Sequence, residues 1–150
     1  MGLLGRIARF VGNDGGLLIG VDLVKNIGVL EAAYNDRQKV TEAFNKNLLV
    51  RLNRELDANF KVDQFEHRAF YNRDQNRIEM HLASEREQFI RVADQLVHFN
   101  AGETIHTENS HKYNLAGFHR LALRAGFHPV KVWTDPDHLF SIHYLQTQCM

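Results

Sequence analysis

Between Asn100 and Tyr113 the chain reads NAGETIHTENSHKY, which gathers Glu103, His106, Glu108, Ser110, His111 and Lys112 between two apolar segments. A carboxylate only accepts hydrogen bonds, whereas a hydroxyl both donates and accepts, so such a set can grip a small ligand that carries N–H groups. Read as extended backbone over 104–110, the side chains alternate faces, and His106, Glu108 and Ser110 project the same way. The plain alternative is a solvated strand edge. Metal chemistry is not expected. His106, Glu108 and His111 are suitable donor types, but there is no HExxH or CxxC, and an extended strand turns His111 to the other face. Nor does a serine with scattered histidines and no GxSxG elbow make a nucleophilic triad.

The rest of the chain has to position that stretch. With 150 residues, 44% of them apolar and 10% aromatic, there is material for one sizeable core, so a single soluble domain is expected. Eighteen basic residues balance eighteen acidic ones, which leaves no excess for nucleic acid or an anionic membrane and suits a small neutral or zwitterionic ligand. No apolar run reaches the roughly 18 to 20 residues of a membrane span, and no signal-type segment opens the chain, so a cytoplasmic location is expected. Cys149, the only cysteine, can form no internal disulfide and reads as a surface bystander.

Residues 3–11 place Leu3, Leu4, Ile7, Ala8 and Val11 on one helical face, and GNDGG then ends the helix. GLLIGVDLV follows as a continuous apolar run that reads as a buried parallel strand. GNDGG is not a cofactor loop: such loops leave a strand and open a helix, and this one does the reverse. A short helix is expected over 26–35. Asp36 then caps a long helix from 37 to 56, with Val40, Phe44, Leu48, Leu52 and Leu56 as a core-facing stripe beside Ala43 and Leu49. FEHRAFYN, RIEMHLAS, QFIRVAD and LVHFN read as antiparallel hairpins over 65–99, in which Ile78, Met80 and Leu82 face away from Glu79 and His81. Asn114 caps a helix to Arg124, with Leu115, Phe118, Leu121 and Ala122 inward and Gly126 as its stop. HPVKVWT and LFSIHYLQ, joined by DPDH, form a final antiparallel pair.

The segments GGLLIGVDLVKN, AAYNDRQKVTEAFNKNLLVRLNREL, FEH, RIEMHL, AGETIHTENSHKY and AGFHPVKVWTDPDHLFSIHYL, in this order, resemble the SAM-dependent histidine Nα-methyltransferases of ergothioneine biosynthesis. The resemblance implies an α/β fold: the C-terminal part of a Rossmann-like methyltransferase sheet, residues 1–24 and 113–150, interrupted by an α+β substrate-binding insert over 25–112. It also implies that the cofactor-binding glycine motif, and an asparagine that helps to hold the substrate carboxylate, lie in an N-terminal half this sequence does not contain. The chain is therefore expected to bind S-adenosyl-L-methionine (SAM) weakly unless that half is supplied in cis or in trans.

The same resemblance implies four substrate-binding residues. Tyr34 matches a tyrosine whose phenol contacts the carboxylate of L-histidine, though such a residue is otherwise a packed helix-end tyrosine. Glu108 and Ser110 match the pair that grips the imidazole ring, and Met80 matches a pocket-lining methionine that propensity alone would call core filler. Asp22, at the end of GLLIGVD, stands where α/β sites gather or could equally cap the next helix. Two rivals stay open: a relative that methylates another amino acid or amine, and a non-catalytic binding module descended from the enzyme.

Overall fold

A computed structural model of the chain describes residues 2–147; Cys149 lies outside them. The elements run α1 (Leu3–Val11), β1 (Gly16–Asp22), α2 (Ile27–Tyr34), α3 (Val40–Glu55), a 3-10 turn (Val62–Gln64), β2 (Phe65–Asn72), β3 (Arg77–Ser84), β4 (Gln88–Val92), β5 (Gln95–Phe99), β6 (Thr104–His111), α4 (Leu115–Arg124), β7 (Phe127–Thr134) and β8 (Phe140–Thr147). They form a mixed α/β structure with antiparallel sheets, divided into two compact units: Met1–Lys25 with His111–Met150, and Asn26–Ser110.

In the first unit three strands lie in the order β1-β8-β7. The expectation of a parallel β1 does not hold, since it pairs antiparallel with β8 from Gly16 opposite Gln146 to Asp22 opposite Phe140. Nor is it buried on both faces. Leu17, Ile19 and Val21 turn toward the core, while Leu18 on the other face is 65% exposed. An unbroken apolar run signals two covered faces, but among the described residues only one face of this sheet is covered. There Val21, Phe118, Ala122, Phe127 and Leu145 pack with Leu4, Ile7, Ala8 and Val11 of α1. Leu3 and Leu121, expected inward, are exposed, because each lies at the flank of its helix's apolar stripe.

The helix signals were sound. Asn114 Oδ1 accepts from the Gly117 amide at 2.7 Å, and α4 ends before Gly126, whose φ of 93° suits a residue without Cβ. The DPDH loop is organised by Asp135, whose carboxylate accepts from the amides of Asp137, Leu139 and Phe140.

In the second unit β2-β3-β6 form one sheet and β4-β5 a separate hairpin. Both expected hairpins are present, β2 antiparallel to β3 and β4 antiparallel to β5. One apolar cluster joins Leu49, Phe60, Phe65, Leu82, Ile90 and Phe99, with the three phenylalanine rings edge to face at 5.6–6.4 Å. Leu30, Ile78 and Met80 form another.

Helix α3 departs from its expected face. Asp36 does cap it, accepting from the amides of Val40 at 3.0 Å and Thr41 at 2.9 Å, but across a turn that delays the helix to Val40. The stripe Val40, Phe44, Leu48 and Leu56 is exposed, Phe44 by 66%, and the buried residues are Leu49 and Asn45. Periodicity finds an apolar face without saying which neighbour covers it. Here polar Asn45 goes inward because its amide has partners there.

Candidate functional site

Tyr34 ends α2, Met80 lies in the middle of β3, and Ser110 lies near the end of β6. The fold brings these three together. The Tyr34 ring packs against the cluster of Leu30, Ile78 and Met80, and its phenol donates to Ser110 Oγ at 2.8 Å, across 76 residues of sequence. Thr107 Oγ1 donates to the Met80 carbonyl at 2.9 Å and ties β6 to β3 beside them.

Several hydrogen bonds fix the end of α2 that carries Tyr34. Asn35 Nδ2 donates to the Ala69 carbonyl of β2, and Glu31 Oε1 accepts from the Tyr71 amide, both at 3.0 Å. His67, the histidine of FEH, has Nε2 2.9 Å from the Tyr34 carbonyl and Nδ1 2.9 Å from Asn45 Nδ2. Asn45 Nδ2 also donates to the His81 carbonyl at 3.1 Å, which identifies it as the amide nitrogen. His67 Nδ1 must then accept, so Nε2 carries the proton and donates to Tyr34. Asn45 and His67 thus position Tyr34 from behind. Sequence reasoning gave neither this role, although an asparagine on the core side of a helix is a signal of a polar partner.

Glu108 and Ser110 do not follow the regular alternation expected of β6. Thr104, His106 and Glu108 are exposed and Ile105 and Thr107 half-buried; then Asn109 is also exposed, and Ser110 turns inward. The slip has a visible cause. His106 Nε2 meets both the Glu108 carbonyl at 3.2 Å and Asn109 Oδ1 at 2.8 Å, so the Glu108 peptide is turned toward a face that a regular strand would not offer it. Ser110 therefore joins Tyr34, while the Glu108 side chain stays at the exposed surface.

In the first unit Asp22 caps no helix; Asn26 does that for α2 through the amides of Gly28 and Val29. Asp22 instead takes Lys25 and Lys112 at 2.6 Å each, and the Lys112 side chain is fully buried. Burial opposes ionisation of Asp22, but the hydrogen bonds and charges of Lys112 and Lys25 prevail and hold its carboxyl below the ordinary range. The turn Gly12–Gly16 is stitched to β8. Thr147 Oγ1 accepts from the Gly15 amide at 2.9 Å and donates to the Gly12 carbonyl at 2.6 Å, which ties the turn to β8.

Residues 1–147 match the family described as histidine-specific methyltransferase, SAM-dependent. The chain is 47% identical over 122 residues to the histidine N-alpha-methyltransferase of Mycolicibacterium smegmatis, which covers 80% of this chain and 38% of that protein. It is 44% identical over 121 residues to the protein of the same name from Mycobacterium tuberculosis, covering 79% of this chain and 38% of the relative. The chain thus spans 38% of the length of the curated relatives it matches. A match along nearly its whole length to one family places it plainly: this chain belongs to the SAM-dependent, histidine-specific methyltransferases.

Proposed function

We propose that this chain supplies the substrate-binding part of an enzyme of ergothioneine biosynthesis that methylates the α-amine of L-histidine to the trimethyl betaine. The observation that carries this reading is the convergence of Tyr34 and Ser110 at 2.8 Å, with Tyr34 packed against the apolar cluster that contains Met80. In this reading Tyr34 holds the substrate carboxylate, Glu108 and Ser110 hold the imidazole, and Met80 lines the pocket. Bound SAM supplies a methyl group already activated on a sulfonium. In this reading its glycine-motif cradle belongs to the part of the relatives' length that this chain does not span.

What this chain does for the reaction is orientation. A substrate held at both ends leaves its amine with few directions to point, and alignment of this kind is worth roughly 7–11 kcal/mol at best. Selectivity follows from the half-buried Ser110 hydroxyl and from Glu108, whose exposed carboxylate discriminates once a bound substrate covers it.

We also infer that residues 1–24 and 113–150 are the edge of a larger Rossmann-like sheet and that 25–112 is an insert in it. Strands β1 and β7 each run antiparallel to the β8 between them, and so parallel to each other, as the edge of such a sheet requires. The open face carrying Leu18, Phe140, Ile142 and Trp133 suits the remainder of a relative-length protein, joined in cis or in trans. No helix of the described residues is long and apolar enough to cross a membrane, in keeping with the cytoplasmic location this proposal assumes.

Calorimetry of the 150-residue chain with L-histidine and with SAM tests the reading. Histidine binding that Glu108→Ala weakens sharply, with little SAM binding, supports it. Tight SAM binding by this chain alone would defeat the assignment of the cofactor site elsewhere, and indifference to Glu108→Ala would point to a different amine substrate.

A further inference from the structure

Glu79 and His81 project from one face of β3, two residues apart, and His106 meets them from the neighbouring β6. One ligand atom from each of the three lies within 4.8 Å of the others. Glu79 Oε2 and His81 Nε2 are 3.3 Å apart. Two donors held by one ion at 2.0–2.2 Å in a tetrahedron stand roughly 3.3–3.6 Å apart, so this pair already has the separation of metal ligands.

The surrounding hydrogen bonds let an ion replace a proton. Without metal, His81 Nε2 donates to the Glu79 carboxylate, which can only accept; Nδ1 lies 3.1 Å from Thr104 Oγ1, a hydroxyl able to take the proton when Nε2 turns its lone pair to an ion. His106 Nε2 faces only acceptors, Asn109 Oδ1 and the Glu108 carbonyl, so the proton sits there and Nδ1 keeps its lone pair. Arg77 and Asn72 both hold Glu79 through Oε1, at 2.8–2.9 Å, leaving Oε2 turned to the histidines. Arg77 is also ion-paired with that carboxylate at 2.7 Å. Its guanidinium opposes a second cation and limits affinity.

We propose that Glu79, His81 and His106 form a binding site for a borderline-soft divalent transition metal of the Zn2+ class, separate from the Tyr34–Ser110 site. Two neutral imidazoles and one carboxylate are the donor set such ions prefer. The His81 and His106 rings stack at 4.4 Å with 14° between their planes, and lone pairs lie in ring planes. One ring therefore tilts on binding. That ring is His106, which is exposed, whereas His81 is sandwiched between it and Phe70, whose ring is 5.2 Å away. Sequence spacing concealed the set, because its third member lies on another strand.

The test uses the full chain and Co2+ as a visible probe, followed by Zn2+ in calorimetry. The expected result is one equivalent bound with a dissociation constant of roughly 1–100 μM, d–d absorption that Zn2+ abolishes, and at least a tenfold loss in His106→Ala, whose exposed position leaves the fold intact by circular dichroism. Glu79→Gln should weaken binding similarly, and His81→Ala combined with His106→Ala should remove it. His119→Ala and His98→Ala, which alter a histidine pair and a histidine–carboxylate pair elsewhere, should leave it unchanged. Absence of binding at millimolar Co2+, or binding that survives the double variant, overturns the proposal.

Discussion

The Tyr34 phenol donates to Ser110 Oγ across 2.8 Å, joining the last residue of α2 to the penultimate residue of β6. In the proposed complex these hydroxyls serve opposite ends of one substrate, so ligand entry exchanges their mutual bond for bonds to the ligand. Each hydroxyl changes partner without going unsatisfied, which keeps the cost of opening small.

Tyr34→Phe and Ser110→Ala should each lower L-histidine affinity about 3- to 10-fold, the worth of one neutral hydrogen bond. Glu108→Ala should cost more, about 10- to 100-fold, because the bond proposed for it to a ring N–H is charge-assisted. Titration calorimetry against histidine reads all three. Equal losses for Glu108→Ala and Ser110→Ala would argue against a charged grip on the ring.

Asn45 should matter for stability beyond what an asparagine on a helix suggests. It is 3% exposed and donates to both the His67 ring and the His81 carbonyl. Asn45→Ala leaves two partly buried acceptors without that donor, which should cost about 1–3 kcal/mol in urea unfolding. Histidine affinity should fall with it, since Tyr34 loses the brace behind its backbone. Unchanged unfolding in Asn45→Ala would mean that the two acceptors find other partners at no cost.

The two units should respond to acid in different windows. His143 is fully buried, with Nε2 2.8 Å from Ser141 Oγ and Nδ1 3.2 Å from His119. Burial first, and the His119 charge second, lower its pKa below 6.5, so the unfolded chain takes up the proton before the folded one does. The stability it contributes is complete above pH 6.5 and is lost as pH falls from there through its lowered value. Glu79, set down to about 2 from 4.5 chiefly by Arg77, contributes stability present above pH 4.5 and lost as pH falls toward 2. Amide exchange resolved by residue should therefore show 111–147 loosening first and the sheet around β3 later. Glu79→Gln should flatten the later phase alone; one merged transition would contradict this order.

What could be read from the sequence follows from how far each signal reaches. Caps and turns are local, so Asn114, Gly126 and the hairpins of 65–99 were legible. Which surface covers an apolar stripe is a property of neighbours distant in sequence. Accordingly α3 was expected to bury Val40 and Phe44 yet buries Leu49 and Asn45, and β1 was expected to be parallel yet pairs antiparallel with β8. The residues of the candidate site were named from family likeness, and their expected arrangement from strand period. The period failed after Glu108, where His106 draws in the next two residues. The brace of Asn45 and His67 has no motif, because its members meet only once a helix lies against a sheet.

That brace bears on how the proposed methyl transfer would be run. With one ring nitrogen accepting from an amide and the other donating to a carbonyl, the His67 imidazole is spoken for on both sides. It serves as a strut, and relieving a substrate ammonium of its charge is work for a different group. Removing it should therefore misalign the reactants and leave the acid–base profile of turnover where it was.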